Sequence, residues 1–218
     1  MTVASHRRRG ARGLRGSAVL IAVALSLIAV ACSSGATPTA VPRTPRGHNC
    51  PTSEPPALAA GEKRVVTIET GKGTIRIDVD ANLAPAATGN FVALAACGFY
   101  DATTFHRVVP GFVIQGGDPT GTGGGGPGYT IADDPVASAY HRGTVAMARS
   151  SRPHSQGSQF FIVLDDTAAG SLAHANTYAI LGNVTAGMDA VDAIAVAAGG
   201  AENPANPIAM DKVTVATP

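Results

Sequence analysis

Residues 105–119 read FHRVVPGFVIQGGDP, and residues 157–163 read GSQFFIV. Both stretches look like strands: valine, isoleucine and phenylalanine dominate, and glycine or proline punctuates each run. Each also carries polar side chains where a core strand has no use for them. Arg107 and Gln115 are eight residues apart, which is the same parity if one strand runs through both. Alternation sends Gln159 and Phe161 to one face of their strand and Phe160 to the other. A sheet face offering a guanidinium, amides and aromatic rings among apolar residues suits a peptide better than a metal or a phosphate. A structural rim ion pair of Arg107 with Asp118 is the competing reading.

The rest of the body repeats this strand-and-turn pattern. Residues 65–70 and 74–79 alternate around Gly71-Lys72-Gly73, a hairpin signal. Short strands fit 105–109, 112–116, 144–148, 159–164, 178–182 and 210–216. Helices fit 85–97, with Pro85 near its start and Gly98 as its stop, and 186–198. Glycine (26) and proline (15) are frequent, and hydrophobic residues make up 45% against 14% charged. That composition excludes a disordered polyelectrolyte and favours a β-rich fold with helices covering its ends.

The net charge of +1 conceals an asymmetry. Five arginines, at positions 7, 8, 9, 12 and 15, precede everything else; without them 11 basic residues face 15 acidic ones, a balance of −4. A mildly acidic body without a basic stripe argues against nucleic-acid binding. After the arginines comes an apolar run of 14 residues, 18–31, short of the about 20 needed to span a bilayer. A basic start, a short apolar run and small residues at its end make an export signal over 1–31. The Ala29-Val30-Ala31-Cys32 end resembles a bacterial lipobox, so Cys32 is expected to carry lipid after cleavage; ordinary cleavage after Ala31 is the alternative. Residues 32–61, rich in proline and without periodicity, are expected to form a tether, which leaves 62–218 as the folded domain. Cys50 and Cys97 then remain as an even pair in an oxidising compartment. They are either a disulfide stapling tether to domain or a free thiol and a small core residue. The expected location is the cell membrane, lipid-anchored on its extracytoplasmic side.

Other motifs carry little. Gly121-Thr122-Gly123-Gly124-Gly125-Gly126 matches G-x-G-x-x-G, but Pro127-Gly128-Tyr129 cannot open the helix that a dinucleotide site requires. Gly157-Ser158-Gln159 lacks the second glycine of a nucleophile elbow. The six histidines show no metal-ligand spacing.

Taken in order, FHRVVPGFVIQGGDP, a glycine-rich loop and GSQFFIV resemble the cyclophilin family of peptidyl-prolyl isomerases. The likeness runs over nearly all of 65–216 and includes TIETGKGTIRIDV, APAATGNFVALAACGFYDATTFHR and YAILGNV. It implies a mostly β fold, a closed eight-stranded antiparallel barrel capped by two helices. It implies Arg107 and Gln115 at the catalytic positions, the arginine as the catalytic donor and the amide as its substrate-binding neighbour. Phe112, Val113, Phe161 and Leu172 would form a proline pocket; Ala148 and Gln159 would contact the peptide backbone, and Tyr178 stands where a histidine is frequent. The chain departs at Val113, where Met is common, and at Arg149, where Asn is usual. It also departs at 167–176 (TAAGSLAHAN), which lacks the family's Trp and leaves His174 competing with Leu172. The implied function is isomerisation of X–Pro bonds in exported proteins, without cofactor or metal, by a monomer that binds proline-containing peptides and unfolded chains. Weak binding of cyclosporin follows from the missing Trp. A non-catalytic proline-peptide chaperone or adaptor on the same barrel is the rival.

Overall fold

The computed structural model describes residues 49–218; the expected export signal, Cys32 and the first part of the expected tether lie outside the described residues. Strands β1 (Lys63–Thr70) and β2 (Gly73–Asp80) pair in register about a two-residue Gly71-Lys72 turn. There follow α1 (Pro85–Ala96), β3 (Arg107–Val109), β4 (Val113–Gly116), β5 (Thr144–Met147) and β6 (Phe160–Val163). The chain ends with α2 (Ala168–Ala175), β7 (Ile180–Ala186), α3 (Met188–Ala197) and β8 (Met210–Ala216). All pairings are antiparallel, in the order β3-β4-β6-β5-β7-β2-β1-β8, and the sheet curls into a half-barrel. No ladder joins the outer strands β3 and β8. The segment before β3 instead bonds the start of β8, with Ala102 N–H donating to Met210 O (2.8 Å) and Met210 N–H donating to Thr103 O (2.8 Å).

Strand alternation divides the molecule into two apolar clusters. Ile114, Val145, Met147, Phe160 and Ile162 point inward with Phe91, Tyr100 and Phe105, and all are essentially inaccessible to water. Phe91, Tyr100, Phe105 and Phe160 meet edge-on or tilted at 5.2–6.2 Å between ring centres. The opposite face of β4, β6, β5 and β7 carries Val113, Ala146, Phe161, Val163 and Ile180, and α2 covers it with Ala168 and Leu172.

Three departures from expectation follow from contacts that periodicity does not report. Among the described residues there are three helices, not two: α2 is only eight residues long and buries just Ala168 and Leu172, one helical turn apart. Residues 49–61, expected as tether, are docked on the domain. A Cys50–Cys97 disulfide, a Leu58 N–H to Pro85 O bond (3.1 Å) and the close approach of Pro56 O to the bare face of Gly89 hold them on α1. Finally, Asp118 is not the partner of Arg107.

Candidate active site

Arg107 and Gln115 share a face for a reason other than a continuous strand. They lie on two strands of a tight hairpin and oppose each other in register, and Gln115 in turn opposes Phe161. Arg107 Nη1–H donates to Gln115 Oε1 (3.2 Å), and Gln115 Nε2–H donates to Gln159 Oε1 (2.9 Å). Gln159 Nε2–H donates to the carbonyls of Gly123 and Gly125, each at 2.9 Å. On its far side, Arg107 Nε–H donates to Glu202 Oε1 at 2.7 Å. One polar chain thus runs from Glu202 across the sheet to the glycine-rich loop.

Beside this chain is a cavity of about 140 Å³. Arg107, Gln115 and Ala148 form its polar and backbone side; Phe112, Val113, Phe161, Leu172 and Tyr178 form its apolar side. Tyr178 meets Phe161 edge to face at 5.4 Å, and its carbonyl accepts from the Tyr140 hydroxyl (2.9 Å). Leu172 is buried against this wall from α2, whereas His174, on the same helix, is solvent-exposed and does not line the cavity. Gln159 lies outside that cavity and lines a larger one of about 680 Å³ with Gln115, Ala148, Arg149 and the glycine loop.

Two residues outside the expected pocket set, Asp118 and Arg149, hold the walls. Asp118, 1% exposed, accepts from the N–H groups of Thr120 (2.6 Å), Thr122 (3.0 Å), Gly123 (2.6 Å) and Gly125 (3.1 Å) and from the Thr120 hydroxyl (2.8 Å). Burial pushes its carboxyl upward, but the Thr120 N–H and hydroxyl and the Gly125 and Gly123 N–H groups prevail and hold it at about 2. A side chain at Gly125 would collide with that carboxylate, so the glycine run is a cradle built on Asp118 and not a phosphate site. Arg149 is folded against the loop after β5. It donates to Asp133 Oδ2 (3.1 Å), Arg152 O (2.6 Å) and Ser150 O (3.2 Å), and it forms a wall between the two cavities. His106, next to Arg107 and buried, has its pKa lowered by that burial, against the opposing charge of Asp118.

The sequence matches the model of the cyclophilin type peptidyl-prolyl cis-trans isomerase/CLD family over residues 65–215. A probable peptidyl-prolyl cis-trans isomerase A of Mycobacterium leprae is 38% identical over 175 residues, covering 71% of this chain and 93% of the relative. A peptidyl-prolyl cis-trans isomerase of Synechococcus elongatus is 53% identical over 95 residues, 44% of this chain and 65% of that protein. Among solved structures, a Cryptosporidium parvum cyclophilin type peptidyl-prolyl cis-trans isomerase crystallised in the presence of the dipeptide Ala-Pro superposes with TM-score 0.63. It is 31% identical, and the match covers 71% of this chain and 99% of that one. The curled antiparallel sheet is therefore that of a prolyl isomerase, and the chain belongs to the cyclophilin-type peptidyl-prolyl cis-trans isomerases.

Proposed function

We propose that the 140 Å³ cavity seats the proline ring of an X–Pro substrate and that Arg107 is the donor that lowers the rotational barrier. The observation carrying this reading is the side-by-side placement of an anchored guanidinium and an apolar pocket of one-residue scale. Amide resonance opposes rotation by about 18–20 kcal/mol. In the twisted transition state the proline nitrogen becomes pyramidal and its lone pair localises. A fixed N–H donor aimed at that lone pair binds the transition state better than the planar ground state. Arg107 supplies it without a proton transfer, since its charge is permanent. Phe112, Val113, Phe161 and Leu172 exclude water and hold the ring, which strengthens the hydrogen bond. Gln115, Gln159 and Ala148 hold the peptide backbone, with Tyr178 closing the pocket.

We also propose that the domain works outside the cytoplasm on exported proteins, as a monomer held to the membrane by lipid on Cys32, and that the Ala102–Met210 seam closes the half-barrel. The arginine-rich start, the 18–31 run, the lipobox-like end and the Cys50–Cys97 disulfide support this location. Two measurements test the reading. Titrating an Ala-Pro-containing tetrapeptide into the isotope-labelled protein should shift the resonances of Phe112, Gln115 and Phe161 first; shifts confined to another surface would overturn the assignment. Cys32→Ala should leave the membrane fraction, and unchanged retention would refute lipid anchoring.

A further inference from the structure

Glu202 lies in the loop between α3 and β8, far in sequence from everything else at the site. The chain turns through Gly199 and Gly200 after α3, and the Glu202 carbonyl then accepts from Val108 N–H on β3 (2.8 Å). That backbone bond sets the carboxylate beside Arg107, where Oε1 accepts from Nε–H at 2.7 Å. Gln115 accepts from Nη1 on the adjacent edge of the same plane. Arginine carries five N–H donors in a rigid fork. Two acceptors on two edges fix both the position and the plane of that fork, and Arg107 lines the cavity. The contact to Glu202 pairs opposite charges and is short (2.7 Å), whereas the contact to Gln115 joins a charge to an amide dipole and is longer (3.2 Å), so the carboxylate is the stronger of the two restraints.

We propose that Glu202 is a positioning residue for Arg107, pinning the Nε edge of the guanidinium so that its Nη edge faces the proline pocket. This rests on the reading of Arg107 given above. Orientation of a reacting group is worth most at the transition state, so the effect falls on turnover rather than on peptide affinity, which the apolar wall and the glutamines supply.

The test uses the full chain as wild type, Glu202→Ala, Glu202→Gln, Arg107→Ala and the Arg107→Ala/Glu202→Ala double variant. Turnover and KM are measured separately on an X–Pro tetrapeptide, and the Arg107 Nε–H resonance is followed by NMR. Glu202→Ala is expected to lower kcat about 10-fold with KM within about twofold, while Glu202→Gln, which keeps an acceptor oxygen, recovers most of that loss. The Nε–H resonance should move to the position of a solvated arginine in Glu202→Ala alone. The double variant should be no worse than Arg107→Ala. Wild-type turnover in Glu202→Ala together with an inactive Arg107→Ala would overturn the positioning role and leave the Arg107 reading standing. An active Arg107→Ala would sink the reading beneath it. A loss confined to KM, or equal in both backgrounds, would show that Glu202 acts elsewhere than through Arg107.

Discussion

Replacing Asp118 by asparagine should both destabilise the domain and slow it. The carboxylate accepts from two donors on Oδ1 and from three on Oδ2. Asparagine must turn its amide nitrogen toward one of these sets, opposing donors with donors. The fall of the Asp118 pKa from the usual 3.8 to about 2 gives the magnitude: at 1.36 kcal/mol per pH unit, the charged form contributes about 2 kcal/mol to the fold. Because the folded value is depressed, that contribution is complete above pH 3.8 and is lost as pH falls through about 2. For a domain of this size the loss corresponds to a Tm lower by roughly 4–8 °C at neutral pH. The glycine loop supplies both acceptors for Gln159, which holds Gln115 and through it Arg107, so kcat/KM should drop several-fold as well. Thermal unfolding of wild type and Asp118→Asn at pH 7 and near pH 2 checks this: the gap should be wide at pH 7 and nearly closed near pH 2. A variant as stable as wild type at pH 7, or a gap unchanged by acid, would show that the Asp118 carboxylate does not hold the loop.

Other expectations follow from single features. Burial depresses the His106 pKa, so the fold favours its neutral form, and its contribution to stability is complete above pH 6.5 and declines as pH falls below it; denaturant melts of His106→Phe should lose that slope relative to wild type. Cys50 and Cys97 close a loop at a separation of 47 residues, so Cys50→Ser should cost about 4 kcal/mol in urea unfolding if the chain-entropy view holds. The chain has no Trp, and Leu172 supplies the apolar contact at this edge of the pocket without an indole N–H; inhibitor titration should show cyclosporin binding roughly 5- to 150-fold weaker than to an isomerase that has the Trp, and low-nanomolar inhibition would contradict this.

What could be read from the sequence was whatever local alternation controls. Phe160 is in the core and Phe161 on the outer face with Gln159 because period two leaves no other choice, and α1 and α3 fall close to the limits that Pro85, Gly98 and the apolar stripe indicate. The Arg107–Gln115 pairing was right in face but wrong in cause, because a three-residue turn hides inside PGF. What depends on distant pairing was not legible. Helix α2 presents only two buried residues to any periodicity, and Cys50 to Leu58 looks like linker until the disulfide and Gly89 are seen beside it. Glu202 is 95 residues from the arginine it touches; its only local sign is an acid placed just after a Gly-Gly turn. The cradle on Asp118 was masked by a glycine run that matches a nucleotide motif on paper.

In the proposed mechanism an arginine donor, not a nucleophile or a proton relay, performs the isomerisation. Protease-coupled isomerisation of a cis X–Pro tetrapeptide by the full chain and by Arg107→Ala measures it directly. Wild type should accelerate the reaction well above its uncatalysed rate, and Arg107→Ala should lower kcat/KM by about 100-fold with its Tm unchanged. An Arg107→Ala protein that kept more than half the wild-type kcat/KM would rule out Arg107 as the donor.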